Sequence, residues 1–230
     1  PNPFGLSDVG VDASPVLVDI DNDGDLDAFV GNATGNIQFF RNVGTVSNPI
    51  FTTAMANPFG LSAVGTSASP AFIDIDGDGD LDALVGNATG NMLFFQNIGT
   101  ASNPIFAAAI INPFGLSDVG SSASPTLVDI DGDGDLDAFT GSYDESVLFY
   151  ENDGTAQKPS FAAAVANPFG LDNNVSGFGI VSSPTLADID GDGDLDLIFG
   201  GGYFSQNTGT AKNPVFDGSV APLPGITPAG

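Results

Sequence analysis

The nine residues "DIDGDGDLD" occur at 74–82, 129–137 and 188–196, and a near copy, "DIDNDGDLD", at 19–27. Each stretch puts a carboxylate at every second position, five in all. Carboxylates this close repel, and each makes its neighbours harder to ionise. A bound cation removes that penalty. Calcium takes six to eight hard oxygen ligands at about 2.3–2.6 Å, mixing carboxylates, backbone carbonyls and water. Counting from the first Asp, side chains at positions 1, 3 and 5 converge when the chain curls around an ion. Gly at position 6 permits the bend, position 7 offers its backbone carbonyl, and position 9 closes the ring. The candidate ligands are Asp19, Asp21, Asp23, Asp25 and Asp27 in the first copy, and Asp74, Asp76, Asp78, Asp80 and Asp82 in the second. The third supplies Asp129, Asp131, Asp133, Asp135 and Asp137, and the fourth Asp188, Asp190, Asp192, Asp194 and Asp196. About four calcium ions per chain are expected, one per loop.

Other readings of the loop fit less well. A bare solvated acidic turn leaves the mutual repulsion uncompensated. Magnesium keeps its waters and rarely uses a full protein cage. Zinc and copper prefer imidazole or thiolate, and the chain has no His and no Cys. A helical EF-hand loop needs a bidentate Glu at position 12. Here position 12 is Val30, Val85, Thr140 or Phe199. The residues that follow are strand-like, so the loop joins two strands. The position 7 side chains, left free when only their carbonyls bind, either supply charge or recruit further ions between molecules.

The rest of the composition supports a cation-binding, non-catalytic chain. Against 29 acidic residues stand only Arg41, Lys158 and Lys212, giving a net charge of −26. Such a surface repels nucleic acid and anionic membranes. Twenty of the acids lie in the four loops, and the segments between them are rich in Val, Ile, Leu and Phe, unlike a disordered acidic tail. No disulfide is available, and no apolar run reaches the ~20 residues of a membrane helix. No basic-then-apolar leader opens the chain, which reads as a mature, processed or excised form. General acid–base catalysis most often uses His, which is absent. Nearly every close Asp pair already belongs to a loop; Asp144-Glu145 and Glu151-Asp153 read as solvated faces. The chain is expected not to be an enzyme.

The elements that must hold these loops follow from the internal repeat, whose period is 55, 55 and then 59 residues. Each copy runs "NPFGL", "SP" plus an apolar run, the acidic loop, "DAFVGN" or a relative, a polar turn, a pair of aromatics, then "N-x-G-T". Repeats fall at about 2–56, 57–111, 112–166 and 167–221, and 222–230 is a degenerate start of a fifth. Strands are expected at about 15–20, 26–32, 37–42 and 50–56 of the first copy, separated by Gly, Asn and Pro clusters. Several are continuous apolar runs, which suits strands covered on both faces. "NPFGL" reads as a turn whose Phe plugs the gap between sheets. The pairs Phe39-Phe40, Phe94-Phe95 and Phe149-Tyr150 are expected to be half core and half blade surface. The fourth copy has a hairpin turn four residues shorter and a preceding connector four residues longer. Four four-stranded units in sequence predict an all-β fold, a four-blade β-propeller.

"DIDGDGDLDAxxG" followed by "NxGT" resembles the FG-GAP/VCBS repeats, the calcium-loop propeller repeats of integrin α-subunit heads and many bacterial surface proteins. The resemblance covers nearly the whole chain. It implies a β-propeller with one calcium per loop, serving adhesion or display outside the cell. Propellers of that family commonly have seven blades, and this chain supplies four. Both ends stand at the same phase of the repeat, which predicts a homo-oligomer or polymer joined through terminal strands. The expected role is an extracellular or cell-surface structural or adhesive module, self-assembling into oligomers or filaments, with a surface protein or glycan as ligand. A carbohydrate-binding lectin is the alternative.

Overall fold

Each copy of the repeat folds into one antiparallel meander, because its four strand-forming runs are joined by short turns that reverse the chain. The computed structural model describes residues 3–142, 146–171, 183–216 and 218–223. Residues 172–182 of the lengthened connector before the fourth acidic loop, and Tyr143, Asp144 and Glu145, lie outside the described residues. Blade 1 contains β1 (Ser14–Val18), β2 (Asp27–Gly31), β3 (Ile37–Phe40) and β4 (Met55–Ala56). Blade 2 contains β5 (Ser69–Ile73), β6 (Asp82–Gly86), β7 (Met92–Phe95) and β8 (Ile110–Ile111). Blade 3 contains β9 (Ser124–Val128), β10 (Asp137–Gly141), β11 (Val147–Tyr150) and β12 (Val165–Ala166). Blade 4 contains β13 (Thr185–Ala187), β14 (Asp196–Phe199), β15 (Tyr203–Ser205) and β16 (Ala221–Pro222). Strand order within every sheet follows the chain. The four sheets form a four-blade β-propeller, as the repeat predicted.

The first strands stand side by side at the centre. Serine hydroxyls link them in a row: Ser14 to Ser69 at 3.3 Å, Ser69 to Ser124 at 2.9 Å, and Ser124 to Ser183 at 3.0 Å. Backbone bonds stitch successive blades. The Ala68 N–H donates to the Asn32 carbonyl at 3.0 Å, and Ala123 repeats this with Asn87. Those crossings are so close that a Cβ on Gly31 or Gly86 would lie 2.0 or 2.1 Å from the next blade's carbonyl oxygen.

Stacking buries both faces of the middle strands. All five residues of β2, β6 and β10 are buried, as their continuous apolar runs predicted. The aromatic pairs depart from expectation. Phe39 and Phe40 are both buried, as are Phe94 and Phe95, and Phe149 and Tyr150. Phe39 is covered by blade 2, and Phe40 by Leu6, Val9 and Phe51 of its own repeat, so neither ring is left on a blade surface. The fourth strands are also shorter than expected. Pro49 has no N–H, and the Ile50 N–H is taken by the Asn42 side chain at 3.0 Å, so only a single bridge joins Asn42 and Phe51 before β4 begins.

The "NPFGL" turns plug the inter-blade gaps as read. Phe59, Phe114 and Phe169 pack edge-on against Phe39, Phe94 and Phe149 of the preceding blade, with ring centroids 5.1, 5.0 and 4.8 Å apart. To reach there each Phe takes a left-handed backbone, φ 57 to 60°, a strained choice for a non-glycine residue. Its carbonyl is held by the Phe106, Phe161 or Phe216 N–H at 2.7–2.8 Å.

Candidate metal centre

The acidic loops connect the first strand of each blade to the second. Position 1 organises the curl. Asp19 accepts the Asp23 N–H at 3.1 Å on one oxygen and the Gly24 N–H at 3.0 Å on the other. Asp74, Asp129 and Asp188 do the same in their loops. Position 6 is left-handed in all four, with φ 94 to 100° at Gly24, Gly79, Gly134 and Gly193. Position 4 is left-handed too, at Asn22, Gly77, Gly132 and Gly191. The bend therefore has two hinges, and the second was visible in the sequence as Asn or Gly, the residues that tolerate this backbone.

With the loop curled, carboxylate oxygens converge. In the first three loops positions 1, 3 and 5 come within 4.8 Å of one another: Asp19, Asp21, Asp23; Asp74, Asp76, Asp78; and Asp129, Asp131, Asp133. In the fourth the group is Asp188, Asp190 and Asp196. The position 7 side chains, position 9 in the first three loops and Asp192 in the fourth stand outside these groups. Oδ1 of Asp25, Asp80, Asp135 and Asp194 is buried in every loop without a hydrogen-bond partner. The same holds for Oδ1 of Asp21 and Asp76, and for Oδ2 of Asp27. A buried carboxylate oxygen with no donor is costly unless a cation faces it. All-oxygen donors, anionic and clustered, suit a hard divalent ion.

A family model, the FG-GAP-like repeat, matches residues 19–85, 74–140 and 129–199. The chain belongs to the FG-GAP-like repeat family. Among curated proteins nothing matches. Two solved structures resemble it distantly. Bacillus licheniformis rhamnogalacturonan lyase PL11 is 13% identical with a TM-score of 0.43, over 82% of this chain and 40% of that one. The V. cholerae biofilm matrix protein Bap1 is 16% identical with a TM-score of 0.37, over 89% of this chain and 30% of that one. The FG-GAP-like chain thus spans less than half the length of either.

Position 9 of the FG-GAP-like loop has a second task. Asp27, Asp82, Asp137 and Asp196 open the second strands and are 2–4% exposed. Each accepts the backbone N–H of the "N-x-G-T" asparagine: Asp27 from Asn42 at 2.7 Å, Asp82 from Asn97 at 2.7 Å, Asp137 from Asn152 at 2.8 Å, and Asp196 from Asn207 at 2.8 Å. The Asn side chain in turn takes two N–H groups of its own turn, Gly44 and Ile50 in blade 1, both at 3.0 Å. The sequence shows these asparagines as the first residue of the recurring "N-x-G-T", without their role. Their signal is a fixed recurrence after each loop.

Burial pushes the Asp27 carboxyl up to about 6 and those of Asp82 and Asp137 to about 7. The Asn N–H opposes the shift, and the carboxylates at positions 3 and 5 add to it. Asp25, Asp80, Asp135 and Asp194 are also raised, first by burial and then by the carboxylate at position 5.

The rim of the loop differs among blades. Arg41 reaches Asp21 at 2.5 Å and Asp23 at 3.5 Å. Gln96 and Gln206 occupy the equivalent places and donate to Asp76 and Asp190. Glu151 stands there in blade 3. The first loop therefore carries a built-in cation that competes with a metal.

Proposed function

We propose that this FG-GAP-like propeller is a calcium-loaded structural or adhesive module working outside the cell, with calcium as a folding cofactor and no catalytic role. The observation that carries the calcium reading is the buried, partnerless Oδ1 of Asp25, Asp80, Asp135 and Asp194, one beside each converging carboxylate group. The oxygens at positions 1, 3, 5, 7 and 9 would hold the ion, which supplies the positive charge that lets the carboxylates stay ionised in the fold. Among the described residues no helix is long and apolar enough to cross a membrane.

Ligand that binds only the folded state adds RT ln(1 + [L]/Kd), about 2.7 kcal/mol per site at 100-fold excess. Four such sites give on the order of 11 kcal/mol, comparable to the stability of a whole domain. The extracellular reading is supported by the family match, and an extracellular module of this kind would be filled at roughly millimolar calcium. The experiment is native mass spectrometry with thermal melting, in millimolar calcium and after chelation. The expected result is about four ions per chain and a large loss of melting temperature on chelation. An unchanged melting temperature and no bound calcium overturn the reading.

A further inference from the structure

Every internal blade contact joins the trailing face of one blade to the leading face of the next. Blade 1 has no predecessor, and its leading face is uncovered. Leu17 and Leu26 are 57% and 50% exposed, whereas the equivalent Leu127 is buried and Leu81 half-buried. Pro15 is exposed where Pro70, Pro125 and Pro184 are buried. Phe4 is 59% exposed, although its counterparts fill the gaps between blades. Phe4, Leu6, Leu17, Leu26, Val46 and Phe51 line an apolar depression on this face.

Blade 4 is uncovered on the opposite side. Ile189 is half-buried where Ile20, Ile75 and Ile130 are 2–3% exposed. Phe204 is half-buried where Phe39, Phe94 and Phe149 are buried and paired with a following Phe. The chain's own next "NPFGL" is "APLPGI", with Pro224 in the place of the Phe. The fourth acidic loop lacks a neighbour as well. A Cβ on Gly77 or Gly132 would meet the turn of the following blade, at Gln157 or Lys212, and one on Gly191 meets nothing.

The slot opposite Phe204, which no Phe of the described residues fills, and the unused Phe4 plug are the two halves of one contact that the structure already makes three times. We propose that a second copy of this chain supplies the missing half: the leading face of blade 1 seats on the trailing face of blade 4 of its partner, Phe4 against Phe204. The turn at Val46 then covers the partner's fourth acidic loop, as Gln157 covers the loop at Gly77. The continuation of an existing internal interface identifies the occupant. The two end faces stay exposed in the single chain, and eight blades lie within the range with which propellers close. Two copies make eight blades, with two identical junctions related by a two-fold axis.

Light scattering in millimolar calcium, across a concentration series, tests this. The expected particle is twice the 23.2 kDa chain and does not grow further. Phe4→Asp and Phe204→Asp are each expected to give folded monomers, since Phe4 is exposed in the single chain; circular dichroism verifies the fold. Mixing the two variants restores one intact junction, so a heterodimer partly returns. A wild-type monomer at all concentrations, oligomers that grow beyond two copies, or a dimer indifferent to Phe4→Asp overturns the proposal. Calcium counting is a separate readout, so a failed dimer leaves the metal assignment standing and the reverse.

Discussion

The Asn42 backbone N–H donates to Asp27 Oδ1 at 2.7 Å, across 15 residues of sequence. This bond joins the last carboxylate of the ion loop to the turn that follows the third strand. Asp27 is 2% exposed, so its charge reaches into the blade while its other oxygen faces the loop. A cation held as proposed would therefore be tied to the integrity of the blade through this side chain, and the other three blades repeat the bond.

Asp82→Asn is expected to separate the two roles. The amide oxygen still accepts the Asn97 N–H and keeps that tie of the blade, while the NH2 replaces the oxygen that accepts the Ile75 N–H at 3.3 Å and the site loses a charge. Calcium affinity of the second loop should fall about 10–100-fold, the range typical for loss of a group that supports a metal. Calorimetric titration reads this, with one weakened site and three unchanged.

Arg41→Gln is expected to strengthen the first site. The guanidinium is half exposed and contacts two candidate ligands. An exposed ion pair is worth about 0.2–1 kcal/mol, and removing this competitor should raise affinity there by roughly up to fivefold. Titration of the variant should bring the first loop level with the second, where Gln96 takes that place.

The pH dependence should reverse with calcium. In the metal-free protein Asp27, Asp82 and Asp137 have folded pKa values raised from 3.8 to about 6, 7 and 7. Over that range the folded state binds more protons than the unfolded one, so stability is fullest below pH 4 and is lost as pH rises through about 7. With calcium bound the carboxylates are held ionised. Acidification then ejects the ion, and stability falls as pH drops. Melting curves between pH 4 and 8, with calcium and with chelator, should slope in opposite directions.

Gly86→Ala tests the stitching between blades 2 and 3. A Cβ would sit 2.1 Å from the Ala123 carbonyl oxygen. Overpacking of this kind costs about 1–3 kcal/mol, or roughly 2–12 °C in a chain of this size at about 2–4 °C per kcal/mol. Differential scanning calorimetry in saturating calcium reads the shift without altering any candidate ligand.

The four blades and the position of each acidic loop between the first and second strands could be read from the sequence, because repetition repeats each local signal four times. Alternating aspartates with a glycine hinge specify a curled loop without reference to anything distant. The Asn42-to-Asp27 tie was not legible, since it depends on how far apart strands return to each other in space. The burial of both Phe39 and Phe40 was likewise hidden, because it depends on blade 2 stacking on one side and on Leu6, Val9 and Phe51 folding back over the other.

Local chemistry, then, was determined by the sequence alone: strand runs, turns, hard-oxygen loops and the family to which they belong. Tertiary structure decided which oxygens are buried without a partner and which Phe plugs lack a slot. Exposure is a property of neighbours, and identical repeats acquire different surroundings only once they stand in order, with Phe59 covered and Phe4 bare.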